Sequence, residues 1–159
     1  MSTSLYERWK SLAVRRPDDI PATTSLAWHI EKFAEHDSRL TNNALPAGSP
    51  CGAGRSGVVD ALAAIALRES MRRHVERERG GRIREAIELG ATWNEVATAL
   101  GVTSADARHA LRTWADARRR LDRRDIEHAL GDSLGLDPEQ YAAVLALEQL
   151  GDDERMSSG

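Results

Sequence analysis

Apolar residues recur at three- and four-residue spacing in several separate stretches of the chain, which predicts amphipathic helices. In residues 4–16 this spacing predicts a short helix that ends before Pro17, because the residue before a proline avoids helical angles. Residues 24–40 predict a second helix with an apolar stripe made of Leu26, Ile30, Phe33, Ala34 and Leu40. The first part of the chain is therefore predicted to be a helical pair.

A long helix is predicted between residues 57 and 89, where no proline occurs. Its expected apolar face consists of Val58, Leu62, Ile65, Ala66, Met71, Val75, Ile83 and Ile87. Gly80 and Gly81 interrupt this face, and two glycines inside a helix cost about 2 kcal/mol relative to alanine. They mark a kink, a break or the start of a separate helix at Arg82.

Residues 91–114 contain two helix start signals separated by a glycine. Thr92 with Glu95 three residues later forms the pattern of a capping box, and Gly101 suits the left-handed residue that ends a helix. Thr103 with Asp106 repeats the start signal. Two capped helices joined by a tight glycine turn predict a helix-turn-helix.

Residues 93–112 resemble the helix-turn-helix signature of bacterial DNA-binding proteins, with Ala97 where the two helices touch and Gly101 in the turn. The shared apolar side is made of Val96, Leu100, Val102 and Leu111. The wider run 83–121 is similar to small regulators common in high-GC bacteria and, more loosely, to the last helix-turn-helix of sigma factors. The resemblance covers a quarter to a third of the chain.

This resemblance implies that the second helix, residues 103–114, enters the major groove of double-stranded DNA. The residues expected to face DNA are Thr103, Ser104, Ala105, Arg108, His109 and Arg112. Arg108 or Arg112 would read guanine through two hydrogen bonds, and the two hydroxyl residues would hold phosphate. Downstream, the candidate phosphate contacts are Arg118, Arg119 and Arg120, although a solvated helix laced by salt bridges explains their pattern equally well.

The second helix is followed by one further helical signal and a polar end. Asp137, Pro138 and Gln140 combine an N-cap, a proline in the first turn and a capping partner, which predicts a helix up to residue 150. That helix is expected to pack on the central unit or on a second copy of the chain. Residues 151–159 are polar and are predicted to form a disordered tail.

Composition supports a helical protein and restricts its partners. Of 159 residues, 41% are hydrophobic but only 4% are aromatic, and β-branched residues are few. The net charge of −3 argues against a simple basic nucleic-acid binder. Residues 68–125 nevertheless contain 14 basic and 10 acidic side chains, whereas residues 126–159 contain 1 and 8. This asymmetry permits DNA contact at the centre and weakens non-specific binding overall.

The predicted fold is all-α, with a helix-turn-helix core preceded by a long helix, an N-terminal helical pair and a C-terminal helix. The expected divisions are an N-terminal segment 1–40, a Gly/Pro linker 41–57, a DNA-binding unit 58–125, a C-terminal segment 126–150 and the tail 151–159. Because many DNA sites have two-fold symmetry, we expect a homodimer, with its interface on the long helix or on the C-terminal helix.

Three other patterns carry weaker signals. Gly52, Gly54 and Gly57 spell a dinucleotide fingerprint, but no strand precedes them, so the linker interpretation is preferred. His29 and His36 lack the partners of a zinc site and are expected to be solvated, so no metal or cofactor is predicted. A single cysteine and no apolar run of membrane-spanning length indicate a cytoplasmic protein.

No catalytic motif occurs in the sequence, which favours a binding protein over an enzyme. The sequence therefore predicts a DNA-binding transcriptional regulator whose second helix reads the major groove. The alternative is a helical protein–protein adaptor that uses the same fold without binding DNA.

Overall fold

The structure, a computed structural model, describes residues 12–42, 57–128 and 134–156. A 3₁₀ helix at Pro17–Asp19 precedes five α-helices. They are α1 (Leu26–Asn42), α2 (Val58–Glu88), α3 (Trp93–Leu100), α4 (Ser104–Glu127) and α5 (Pro138–Glu148). The described residues contain no strand, so the predicted all-α class is confirmed. None of the described helices has the length and apolar character that a membrane span requires.

The chain divides into two compact units, Met1–Val75 and Glu76–Gly159, and the division falls within α2. The predicted boundary in the linker 41–57, together with its glycine fingerprint, lies almost entirely outside the described residues. The predicted limits 58–125 and 126–150 separate residues that belong to one continuous helix, since α4 runs to Glu127.

The core of the first unit is small. Val14, Ile20, Ala66 and Leu67 are buried together, and half-buried Leu12, Trp28 and Phe33 pack against them. The helix predicted for residues 4–16 is wrong for residues 12–16, which are not helical, while residues 4–11 lie outside the described part. The backbone N–H groups of Arg15 and Arg16 instead donate to the Asp19 carboxylate, which stabilises the 3₁₀ turn.

Helix α1 confirms the helix predicted for residues 24–40, but it buries a different face. Ile30 and Ala34 from the predicted stripe are exposed, whereas His29 and His36 are buried. The prediction of solvated histidines is therefore wrong. Apolar spacing does not reveal which polar side chains will be buried. His29 and His36 are buried because their partners, Ser70 and Asp60, lie on another helix far along the chain.

Hydrogen bonds to both ring nitrogens of His29 and to Nδ1 of His36 offset the cost of burying them, whereas His36 Nε2 is buried without a partner among the described residues. His29 Nδ1 lies 2.8 Å from the carbonyl oxygen of Ser25, and its Nε2 lies 2.8 Å from Ser70 Oγ on α2. His36 Nδ1 lies 2.7 Å from the Asp60 carboxylate, which also accepts from Arg39 Nε at 2.8 Å. In the described residues no group of His, Cys, Asp or Glu is arranged to hold a metal ion.

Helix α2 also buries a different face in its first half. Of the predicted apolar positions, Val58, Leu62 and Ile65 are exposed by 72, 54 and 65%. The buried residues there are Ala63, Ala64, Ala66, Leu67 and Ser70. Leu67 is the one large apolar side chain among them, and it packs in the core of the first unit with Ala66. In the second half, the prediction of buried Ile83 and Ile87 is confirmed.

Gly80 and Gly81 do not break α2, which runs through both residues. A Cβ atom at Gly80 would lie 2.1 Å from Trp114 Cβ, so the glycine is what admits the Trp114 side chain of α4 against the helix. The Cβ position of Gly81 lies 3.4 Å from the Trp114 ring, an ordinary contact distance. Of the predicted alternatives, a break and a separate helix start at Arg82 are wrong, because one helix continues through both glycines.

The second unit has the larger core. Its buried residues are Ile83, Ile87, Trp93, Val96, Ala107, Leu111, Ala115, Leu136, Val144 and Leu147. Helix α4 contacts both α3 and α5, and the Nε1–H of fully buried Trp93 donates to the Leu147 carbonyl at 3.0 Å. The predicted start of α5 is confirmed, because Asp137 and Gln140 form a reciprocal capping box with Pro138 in the first turn. Helix α5 therefore packs on α3 and α4 within the same chain.

Candidate nucleic-acid interface

Local hydrogen bonds set the ends of α3 and α4. Thr92 Oγ1 accepts from the backbone N–H of Glu95 at 3.2 Å, and Glu95 Oε2 accepts from the backbone N–H of Thr92 at 2.8 Å. Gly101 ends α3 with a φ of 67°, in the left-handed region that favours glycine. Thr103 Oγ1 accepts from the backbone N–H of Asp106 at 3.1 Å and starts α4. The caps and the turn predicted from sequence are confirmed.

The two helices are held together by a mainly small apolar interface. Val96, Ala97 and Leu111 are buried as predicted, and Ala107 is buried with them. Leu100 and Val102, which were expected on the same apolar side, are instead 38 and 42% exposed. They flank the Gly101 turn and present apolar surface beside the start of α4.

One side of α4 is open along its length. The residues on it, here called the α4 outer face, are Ala105, His109, Arg112, Thr113, Asp116, Arg120 and Arg123. Ala105, His109, Thr113, Arg120 and Arg123 are exposed, while Arg112 and Asp116 are half-buried. Helical spacing places these positions on one stripe, and three of the four charged members are arginines. Of the predicted DNA-facing residues, Ala105, His109 and Arg112 lie on this face.

Arg108 lies beside this face and is held by the C-terminal residues. Its guanidinium donates to the carbonyl oxygens of Glu148 at 3.1 Å and Leu150 at 2.8 Å, and it pairs with the Asp152 carboxylate at 2.6 Å. It also lies over the Trp93 ring, 4.9 Å from the ring centre. The structure thus places this predicted base-reading residue in a tertiary contact.

Arg112 is also paired within the chain. Its Nε lies 2.9 Å from the Glu148 carboxylate, and this hydrogen bond raises the pKa of the guanidinium. Next to it, the Tyr141 hydroxyl donates to the Asp116 carboxylate at 2.6 Å, which raises the pKa of Tyr141. The Asp116 carboxylate on the outer face therefore accepts a hydrogen bond from the neutral Tyr141 hydroxyl.

Residues 151–156, here called the C-terminal strap, contact the starts of both α3 and α4. The backbone N–H of Asn94 donates to the Asp152 carbonyl at 3.1 Å, and Asn94 Nδ2 donates to the Asp153 carboxylate at 2.8 Å. Ser104 Oγ donates to the Asp152 carboxylate at 3.2 Å. Hydrogen bonds from Arg108 and Ser104 lower the pKa of Asp152. The disorder predicted for the tail is wrong for residues 151–156, while residues 157–159 lie outside the described part.

The strap is fastened at its far end by Arg155. The guanidinium of Arg155 donates to the Glu95 carboxylate at 2.9 Å and to the Gly90 carbonyl. Glu95 therefore serves both the α3 capping box and the strap, and its pKa is lowered by the Thr92 N–H and by Arg155. Within the described part of the chain, the hydrogen bonds and ion pairs that fasten the strap end on α3, α4 or the loop before α3.

The arginines farther along α4 divide into two kinds. Arg118 donates to Glu78 at 3.2 Å and lies over the Trp114 ring, and Arg119 pairs with Asp122. The guanidinium groups of Arg120, Arg123 and Arg124 are exposed and pair with none of the residues that the structure describes. Of the three candidate phosphate contacts, only Arg120 is thus presented freely, and Thr103 at the start of the helix is exposed as well.

Comparison with protein families, with curated proteins and with solved structures gives no match. Any functional assignment therefore depends on the geometry of the chain itself. Sequence reading missed three acidic residues that shape this surface, Glu148, Asp152 and Asp153. The charge asymmetry between the central and C-terminal parts was the available signal, but it does not specify which charges meet.

Proposed function

We propose that this protein binds double-stranded DNA through α3, the Gly101 turn and α4, used as a helix-turn-helix with α4 in the major groove, and that it regulates transcription. The observation that carries the proposal is the α4 outer face. It is an exposed helical stripe that begins at a capped N-terminus directly after a tight turn and carries His109, Arg112, Arg120 and Arg123. A helix presented in this way fits the major groove, with its first turns near base edges.

The site residues take different roles in this proposal. We assign contact with base edges to the exposed His109 and to Arg112, which would exchange its Glu148 partner for DNA. Thr103 caps α4, and its hydroxyl donates to the Asp106 carboxylate at 2.7 Å. Arg120 and Arg123, farther along the stripe, supply phosphate contacts. Val102 adds an exposed apolar group beside the start of the helix, which suits contact with a thymine methyl.

The test is a titration of random duplex DNA, followed by fluorescence anisotropy of labelled DNA at several salt concentrations. A DNA-binding protein shows a log K that falls linearly with log salt, with a slope of about −0.9 for each phosphate neutralised. Arg120→Gln should weaken binding uniformly across sequences and reduce the slope by about 1. Arg15→Gln, which removes the same charge from an exposed position in the first unit, should leave the slope unchanged.

Two results would contradict the proposal. One is the absence of binding at low salt, where electrostatic attraction is strongest. The other is an equal effect of Arg120→Gln and Arg15→Gln on affinity and slope, since that would show general attraction without a specific face.

The second candidate is a helical adaptor, and the exposed row Val58, Leu62 and Ile65 on α2 favours it. Exposed apolar rows of this kind mark protein-binding surfaces. Light scattering distinguishes a homodimer from a monomer. If Ile65→Asp converts a dimer to a monomer while DNA binding is absent, the adaptor function replaces the regulator.

A further inference from the structure

We infer that the C-terminal strap is an autoinhibitory element that covers the N-terminal ends of α3 and α4 beside the α4 outer face, so that DNA binding requires its displacement. The inference rests on the proposed function, because it concerns regulation of that same surface. It assigns to the acidic C-terminal residues a role that the helices alone do not reveal.

The first step concerns position. In a helix-turn-helix complex, the N-terminal ends of the two helices lie closest to DNA, and phosphates commonly bind at helix N-termini. The strap contacts the N-terminal end of α3 and the N-terminal end of α4. Its Asp153 carboxylate accepts from Asn94 Nδ2 in the first turn of α3, and its Asp152 carboxylate accepts from Ser104 Oγ at the first residue of α4.

The second step concerns chemistry. The strap presents carboxylate oxygens to a guanidinium, a hydroxyl and an amide, which are the donors that DNA-binding proteins use on phosphate oxygens. The Arg108–Asp152 pair at 2.6 Å is the shortest of these contacts. Glu148, just before the strap, pairs with Arg112 in the same way. The acidic residues thus hold the places that DNA phosphates would occupy.

The third step concerns strength. The strap is exposed along its length and is fastened by hydrogen bonds and ion pairs, without a buried apolar anchor. Exposed ion pairs contribute little individually and are screened by salt. Helix α5, in contrast, buries Val144 and Leu147 in the core. The strap is therefore able to detach while α5 stays in place.

The experiment compares two variants of the full chain that each remove one negative charge from the strap. Asp152→Asn weakens the contact with Arg108 and Ser104. Glu154→Gln is the matched control, because among the described residues Glu154 accepts from the Gly151 N–H alone, and glutamine keeps that acceptor. If the strap is bound to α3 and α4 in most molecules, the apparent affinity for DNA rises by the same factor by which a substitution lowers the equilibrium constant for strap binding. We expect Asp152→Asn to bind random duplex DNA about fivefold more tightly than Glu154→Gln, the loss expected for one partly exposed ion pair.

A second readout follows the strap itself. Arg155 is the one basic residue among residues 151–156, so trypsin cleavage after it, measured by mass spectrometry, reports strap opening. Saturating duplex DNA should increase the cleavage rate at Arg155 while sites on α4 become protected. An unchanged or slower rate at Arg155 in the complex overturns the inference.

The outcomes separate this inference from the proposed function. If wild type and both variants fail to bind DNA at low salt, the proposed function fails and the inference fails with it. If wild type binds with the expected salt slope but the two variants have equal affinity, the function stands and the autoinhibitory role is refuted.

Discussion

Gly80→Ala tests the closest contact between helices in the second unit. In an exposed helix, replacing glycine by alanine normally stabilises the protein, by about 1 kcal/mol. At Gly80 the added Cβ would lie 2.1 Å from Trp114 Cβ and 2.4 Å from Trp114 Cγ. Because Cβ is fixed to the backbone, relief requires movement of α4 and not merely a rotation of the Trp114 ring.

The expected magnitude follows from two opposing effects. Overpacking a core by a methyl group typically costs about 1–3 kcal/mol, and the helix propensity of alanine returns about 1 kcal/mol. We therefore expect Gly80→Ala to lower the free energy of unfolding by about 1–2 kcal/mol, in spite of its better propensity. The matched control is Gly81→Ala, whose Cβ would meet Trp114 at an ordinary 3.4 Å. That variant should be more stable than wild type, by about 0.5–1 kcal/mol.

The measurement is urea unfolding followed by far-UV circular dichroism and by tryptophan fluorescence. Agreement between the two probes tests whether the transition is two-state, which matters in a chain with two compact units. If Gly80→Ala proves as stable as Gly81→Ala, Trp114 does not pack closely against α2 at Gly80. The packing of Trp114 then does not require a glycine at this position.

Three further predictions concern other parts of the chain. Trp93→Phe removes the buried donor to the Leu147 carbonyl and leaves a small cavity, so urea unfolding should show a loss of about 2 kcal/mol. Gly101→Ala forces a side chain into left-handed angles and should cost about 1–2 kcal/mol, whereas Gly101→Asn should cost less, because asparagine tolerates that conformation. The Arg72 and Arg73 guanidinium groups lower the pKa of Glu69 to about 2. Its ionised form therefore stabilises the fold above the unfolded pKa of about 4.3, and this contribution is lost as the pH falls toward 2. Urea midpoints measured between pH 6 and 2.5 should fall less steeply in Glu69→Gln; an unchanged pH dependence would contradict the ion pairs.

The ends of the helices could be predicted because they depend on residues close together in the chain. Thr92 with Glu95, Thr103 with Asp106, and Asp137 with Gln140 each form cap hydrogen bonds across three residues. Such contacts form whenever the local backbone takes up the helical start, whatever the rest of the fold does. The left-handed turn follows in the same way, because glycine is the residue that adopts a positive φ without strain.

The faces of the helices were less predictable. In α2 the apolar spacing indicated Val58, Leu62 and Ile65 together with Ala66, but only Ala66 of these is buried, and it lies beside Ala63, Leu67 and Ser70. In an alanine-rich helix several faces are apolar enough to be buried, so the choice between them depends on which partner fits. The contact between Trp114 and Gly80 depends in the same way on the position of a second helix, which the spacing along one helix does not specify.

The candidate site shows the same division between local and distant interactions. The sequence by itself determined the two capped helices, the turn between them and the basic character of α4, because these depend on residue type and short-range spacing. Only the tertiary structure decided which arginines are presented and which are engaged. Arg108 and Arg112 meet Asp152 and Glu148 across some forty residues of chain, and electrostatic pairing over that separation depends on how α5 packs against α4. The sequence therefore determined the helix proposed to read DNA, and the fold decided that acidic residues of the same chain lie over its beginning.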